Sequence, residues 1–304
     1  MSSTVQGSSG LVQLTHAEIK RKIAYQKLFG LDKLQKYLFR FCKTLLTADD
    51  SIISHFRLYD LAPSVLLYGP PNTGKTTLCY LLFDWIKQEV TNEINFYTVD
   101  VGKMLDPALG QSSRNLEHIF QDLSNICSDG TSVFLLLDEL DAFCMSRSRA
   151  QEHDAVRRAM TTLMLELDKL HPSTTMRLLV FGITNVPNLV DTAVVRRFAL
   201  KQYVDTHLSW EDFKSYLGYL NKPIKYKPNE EELQKLYNIY KKRDFTTGDI
   251  KALYKILFVD VICADISGNR FDRLVELFEK GFSTRDHLVE TYRELFNAQE
   301  RMGD

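Results

Sequence analysis

The stretch SVLLYGPPNTGKTTLCYLL, residues 64–82, commits the chain to one local architecture. A short β-rich run, SVLLY, breaks into Gly-Pro-Pro, meets Lys75, and resumes as an apolar helical pattern. Gly69, Pro70, Pro71, Asn72, Thr73, Gly74, Lys75 and Thr76 satisfy G-x-x-x-x-G-K-[ST] in the required strand–loop–helix context. In such a loop successive backbone N–H groups curl round an anion, and the helix amino terminus adds partial positive charge. Lys75 then reaches terminal phosphates, and the Thr76 hydroxyl is placed to ligate magnesium. A plain Gly/Pro turn is the competing reading, but chance seldom supplies every fixed position in that context.

Three more short apolar runs, 95–100 (NFYTVD), 132–137 (SVFLLL) and 177–183 (RLLVFGI), alternate with longer amphipathic stretches. This alternation predicts an α/β fold with a parallel sheet covered on both faces. Helical periodicity also runs from Thr15 to Leu46, with a break expected at Gly30. After Asp205 the strand signal ends, and 209–220, 229–242, 247–264, 270–280 and 284–300 all read as helices. The expected organisation is a disordered tail at 1–14, a large α/β domain at 15–205 and a smaller helical domain at 206–304. A length of 304 residues suits two such units.

Composition narrows the function classes. The 38 basic and 39 acidic residues give a net charge of −1, which supplies no electrostatic footprint for nucleic acid or an anionic membrane. Neither a secretory leader nor an apolar run of membrane-spanning length is evident. The five scattered cysteines lack metal or redox spacing and read as reduced residues of a cytoplasmic protein.

A second chemical element lies in FLLLDELD, residues 134–141, where a buried aliphatic run ends in carboxylates. With the phosphate loop present, Asp138 is expected to hold magnesium and Glu139 to polarise attacking water. Asp141 reads better as a helix cap. The strand ending in GITN offers Asn185, ahead of Thr184, to touch the γ-phosphate or its attacking water. Of the following pair Arg196 and Arg197, one arginine can neutralise transition-state charge from a neighbouring subunit.

Together, GPPNTGKT, LLLDELD, GITNVPNLVDTAVVRRF and FTTGDIKAL resemble the AAA+ ATPases, in their protein-remodelling branch. The order GPPNTGKTTLC, AVRRAMTTLMLELDKL and ALKQYV is similar to that of the pachytene checkpoint remodellers. Short bacterial members of that family accompany CBASS anti-phage operons. The resemblance implies a three-layer ATPase domain with a helical lid, the cofactors ATP and Mg2+, a homohexamer, and a HORMA-domain protein as substrate. It also implies no direct nucleic-acid or membrane binding. FGLDKLQKYL at 29–38 looks like the segment beside the adenine, and FTTGDIKAL like the lid helix over the nucleotide. Leu31, Thr77 and Gly248 thereby join the nucleotide-binding set, and Arg197 takes the finger position.

Two departures qualify the resemblance. The pore loop should carry an aromatic before G-[EQ]-S, but here the stretch is DPALGQSS, leaving Ala108 and Leu109, with Met104 nearby, as the substrate grip. The family's lid arginine also has no counterpart in TTGDIK. SRSRAQEHD at 146–154 reads equally as a second pore loop or as a solvated charged loop. Two rival functions are a DNA-loading or initiator-type ATPase switch and an inactive scaffold. The first lacks a basic winged-helix module, and the second fits poorly with intact Lys75, Asp138, Glu139, Asn185 and Arg197.

Overall fold

A computed structural model describes residues 10–90, 93–99, 111–141, 150–186, 190–263 and 269–287. The chain forms two compact units. The first comprises residues 1–27, 33–69 and 75–204; the second comprises Leu28–Asp32, Pro70–Gly74 and Asp205–Asp304.

The first unit is built on a six-stranded sheet of order β1-β3-β4-β5-β2-β6. Its strands are β1 (Leu11–Leu14), β2 (Ser64–Tyr68), β3 (Ile94–Val99), β4 (Ser132–Leu137), β5 (Leu178–Thr184) and β6 (Leu200–Tyr203). All neighbours are parallel except β1, which pairs antiparallel with β3 in the register Leu11 opposite Val99. The helices are α1 (His16–Ile23), α2 (Asp32–Thr47), α3 (Asp50–Leu58), α4 (Lys75–Glu89), α5 (Gln111–Ser128), α6 (Ala150–Asp168) and α7 (Thr192–Arg197).

β4 and β5 are buried at every position, as strands covered on both faces must be. Alternation sorts their side chains. Val133, Leu135 and Leu137 enter a core with Leu116, Ile119 and Leu163 from α5 and α6. The opposite face carries an aromatic row, Phe96, Phe134 and Phe181, with ring centroids 5.1 and 4.6 Å apart. Rings at these separations add packing energy beyond area burial.

Residues 11–14, expected within the disordered tail, instead form β1. The strand is short and mostly half-buried, so its apolar pattern was too weak to read. A capping box follows immediately: the Thr15 side chain accepts from the Glu18 backbone N–H while Glu18 accepts from the Thr15 N–H, starting α1. Gly30, at φ +75°, lies between α1 and α2 where the break was expected.

In the second unit, α8 (Trp210–Asn221), α9 (Glu230–Arg243), α10 (Thr247–Cys263) and α11 (Arg270–Lys280) enclose a core that includes Phe213, Leu236, Phe245, Leu253 and Phe278. Polar residues fix three of the starts: the Ser209, Asn229 and Asn269 side chains each accept from first-turn N–H groups. Phe29, from the early segment, packs at 4.9 Å between centroids against Tyr216 of α8. The helix expected at 284–300 lies mostly outside the described residues.

Candidate active site

The phosphate loop follows β2 and delivers Lys75 and Thr76 to the first turn of α4. Its backbone needs left-handed residues: Gly69 at φ +143°, Asn72 at +62° and Gly74 at +90°. A Cβ on Gly69 would come within 2.5 Å of the Val204 carbonyl oxygen, so this place excludes every side chain. Asn is among the few residues with a side chain that tolerate this conformation, which suits Asn72 to its position. The Thr73 hydroxyl donates to the Pro70 carbonyl at 2.9 Å and closes the turn on itself.

Lys75 is buried, and its ammonium donates to the Gly69 carbonyl at 2.9 Å, spanning the loop. The Thr76 hydroxyl donates to Asp138 Oδ2 at 2.9 Å. That bond brings the loop threonine and the carboxylate at the end of β4 to one spot, although 62 positions separate them. Glu139 follows in a left-handed conformation, φ +56°, with its N–H donating to Asp138 Oδ1 at 2.9 Å. Its side chain is exposed, so the turn presents one carboxylate group to the loop threonine and leaves the next open to solvent. Two α4 groups register the surroundings. Burial first, and the charge of Asp138 second, push the Cys79 thiol and the Tyr80 hydroxyl above their ordinary values.

Asp141 was expected to cap a helix, and the residues that would form it, 142–149, lie outside the described residues; among the described residues it braces the end of β5. It is buried, and its Oδ1 accepts from the Thr184 hydroxyl at 3.0 Å and from the Asn185 N–H at 3.2 Å. The Leu140 N–H donates to the Ile183 carbonyl at 2.9 Å, tying the same turn to the tip of β5. Thr184 also accepts from the Val186 N–H at 3.1 Å, so its hydroxyl is engaged on both sides. Sequence reasoning missed this brace because Asp141, just after β4, lies 43 and 44 positions from its partners at the end of β5.

Arg197 ends α7 and is held within its own subunit. Its Nε donates to Asp168 of α6 at 2.9 Å, and Nη1 donates to the Ala193 carbonyl at 2.8 Å. Neither partner belongs to the phosphate loop or to the tips of β4 and β5. Arg196 is exposed on the same short helix. Asp168 carried no signal in the sequence, being one carboxylate among many in an amphipathic stretch.

Within the second unit, Leu31 is buried, and the Gly248 N–H donates to the Asn72 carbonyl at 3.0 Å. A Cβ on Gly248 would lie 2.4 Å from Asn72 Cβ, so the start of α10 requires glycine there. Thr77 sits half-buried in the first turn of α4. The expected pore-loop residues Met104, Ala108 and Leu109 lie outside the described residues.

A strand–loop–helix phosphate cradle, a buried lysine, and a threonine hydroxyl bonded to a carboxylate at the end of a neighbouring strand make up the phosphate-loop arrangement that suits a nucleoside triphosphate. The profile described as "ATPase family associated with various cellular activities (AAA)" matches residues 65–206, the part of the chain that holds the phosphate loop, the β4 carboxylates and Arg197. Spastin of Xenopus tropicalis is 30% identical over 201 residues, covering 64% of this chain and 30% of spastin. Vacuolar protein sorting-associated protein 4B of Mus musculus is 28% identical over 160 residues, covering 51% of this chain and 33% of that protein. The match thus spans about a third of the length of these curated relatives. Among solved structures, a chain of the E. coli MS115-1 HORMA:CdnC:Trip13 complex aligns with a TM-score of 0.71 at 21% identity, covering 90% of this chain and 95% of its own.

Proposed function

We propose that this chain is a hexameric ATP-driven remodeller that opens or disassembles a HORMA-domain protein complex in the cytoplasm of a bacterium. In that role it regulates an antiviral nucleotide-signalling system of the CBASS type. The observation that carries this reading is likeness in extent: the fold is shared along nearly the full length of a chain from a complex that contains a HORMA protein. The checkpoint-type order of motifs in the sequence supports the same reading.

The residues divide the work. The backbone of Pro71–Gly74 and the Lys75 ammonium hold the β- and γ-phosphates. Thr76 Oγ1 and Asp138 are the oxygen donors that fit magnesium, a hard cation that takes few protein ligands alongside substrate phosphates. When bound, magnesium supplies charge neutralisation at those phosphates. Glu139, exposed and held on a left-handed turn, orients the attacking water and draws off its proton. Asn185, steadied through Asp141, positions that water or the γ-phosphate. Arg197 reaches the site of a neighbouring subunit; its partners among the described residues are Asp168, Met164 and Ala193, none of them in the phosphate loop or at the tips of β4 and β5. Ala108 and Leu109 contact the substrate in the central pore, and an apolar grip of this size favours a limited pull over long threading.

The test uses a HORMA-domain protein encoded beside this gene. ATP turnover should rise when that protein is added, and the Glu139→Gln form should retain it in a stable, ATP-dependent complex. Mixing inactive Arg197→Ala and Glu139→Gln subunits should restore partial turnover. A DNA-dependent rise in turnover, with no response to the HORMA protein, would transfer the assignment to a DNA-loading switch.

A further inference from the structure

The second unit contains a chain of polar contacts that ends on the phosphate loop and begins in the segment after α11. Asp249, in the first turn of α10, is buried, with 3% of its surface exposed. Its Oδ2 accepts from the Thr246 N–H at 2.9 Å and from the Thr284 N–H at 3.1 Å. Its Oδ1 accepts from the Thr284 hydroxyl. Thr284 is buried as well, and its Oγ1 accepts from Asn72 Nδ2 at 3.3 Å. The Asn72 carbonyl meanwhile accepts from the Gly248 N–H at 3.0 Å.

The direction of these bonds is set by chemistry. An ionised carboxylate only accepts, so the single Thr284 hydroxyl proton points at Asp249. The lone pairs of Thr284 are thereby left for Asn72, and only the NH2 end of that amide can answer them. Asp249 thus fixes the Thr284 rotor, and Thr284 fixes which way the Asn72 amide faces. Asn72 stands in the left-handed conformation that shapes the cradle. Held by its side chain at Thr284 and by its carbonyl at Gly248, it has little freedom to leave that conformation.

We infer that Asp249 and Thr284 are positioning residues for the phosphate loop, acting through Asn72, and that this chain of hydrogen bonds links nucleotide occupancy to the segment following α11. It supplies a contact between the start of α10 and the phosphate loop, in a stretch, TTGDIK, that has no counterpart of the arginine expected there. The inference rests on the ATP-binding reading of the loop. Its expected size is that of one neutral hydrogen bond on a flexible loop, roughly three- to tenfold in affinity.

The experiment measures steady-state ATP hydrolysis and nucleotide affinity for the full chain. Thr284→Val, which keeps the shape and removes the hydroxyl, should raise KM for ATP roughly three- to tenfold with kcat little changed. Thr284→Ser should restore the parental KM. In an Asn72→Gly background, which keeps the left-handed backbone but lacks the amide, Thr284→Val should add nothing further. Hydrogen exchange should show amides 283–287 slowed by ATP in the parent and not in Thr284→Val. An unchanged KM in Thr284→Val, or losses that add in full across the two sites, overturns the inference. A parent that binds no ATP overturns instead the reading of the loop, so the two failures are distinguishable. Loss of folding in Thr284→Val, seen as a lower melting temperature, transfers the decision to Thr284→Ser against Thr284→Ala at matched stability.

Discussion

The carboxylates at the tip of β4 and the carboxylate at the start of α10 occupy opposite chemical situations. Glu139 is exposed on a left-handed turn, whereas Asp249 is buried and accepts from two backbone N–H groups and one hydroxyl. A group that must exchange partners with water and phosphate during each turnover cannot be saturated beforehand. A group that holds a frame must be, because an unpaired buried carboxylate is costly. Asp138 and Asp141 fall between: Asp138 holds Thr76 and can trade that bond for a cation, while Asp141 braces Thr184 and Asn185. Partner count and burial together therefore rank these four acids, Asp138 and Asp141 having two partners each but only Asp141 being buried.

Substitutions can break that ranking. Glu139→Gln should cause the largest loss of turnover, about two orders of magnitude or more, with ATP affinity retained because Lys75, Thr76 and Asp138 are untouched. Single-turnover hydrolysis alongside equilibrium nucleotide binding separates the two quantities, and an equal loss in both would place Glu139 among the binding groups. Asp141→Ala should lower kcat by about tenfold and cost roughly 1–3 kcal/mol of stability, since the Thr184 hydroxyl and the Asn185 N–H lose their buried acceptor. Chemical denaturation and kcat measured on the same preparation test both halves, and a stability loss without a rate loss would make the brace purely structural. Asp168→Asn should be the mildest. With Arg197 and Asp168 exposed at 31% and 48%, their pair contributes less than about 1 kcal/mol. Denaturation midpoints should barely move, and a large shift would show that Arg197 is fixed to α6 rather than available to a neighbour.

Legibility in the sequence divided along similar lines. The cradle was readable because its fixed positions are local and its flanking elements have opposite periodicities. β4 and β5 were readable because strands buried on both faces leave uninterrupted aliphatic runs. Helices α8 to α11 emerged from periodicity within a residue or two of their observed ends. β1 was missed because a four-residue half-buried strand has no pattern of its own and is defined by its partner, β3. The brace made by Asp141, and the roles of Asp168 and Thr284, were missed for a shared reason. Each acts through a hydrogen bond to a residue distant in sequence, and an isolated Asp or Thr looks the same whether it faces solvent or a buried N–H. Recruitment of Leu28–Asp32 and Pro70–Gly74 into the helical unit was equally invisible, because a linear division at 205 assigns both segments to the first domain.

That recruitment has a consequence for synthesis on the ribosome. Asn72 and Thr284 are 212 positions apart, and at the usual rate of about 5–20 residues per second the wait between them is roughly 10–40 s. During that interval the nascent chain has already made its phosphate loop, β4 and β5, but not the groups that orient Asn72. Contacts this distant in sequence are the slow ones to form. A chain released early, before Thr284, therefore carries the β4 carboxylates without the contact that holds the Asn72 amide. Nucleotide retention should therefore be weaker in chains that end before Thr284, by at least the roughly three- to tenfold expected of Thr284→Val.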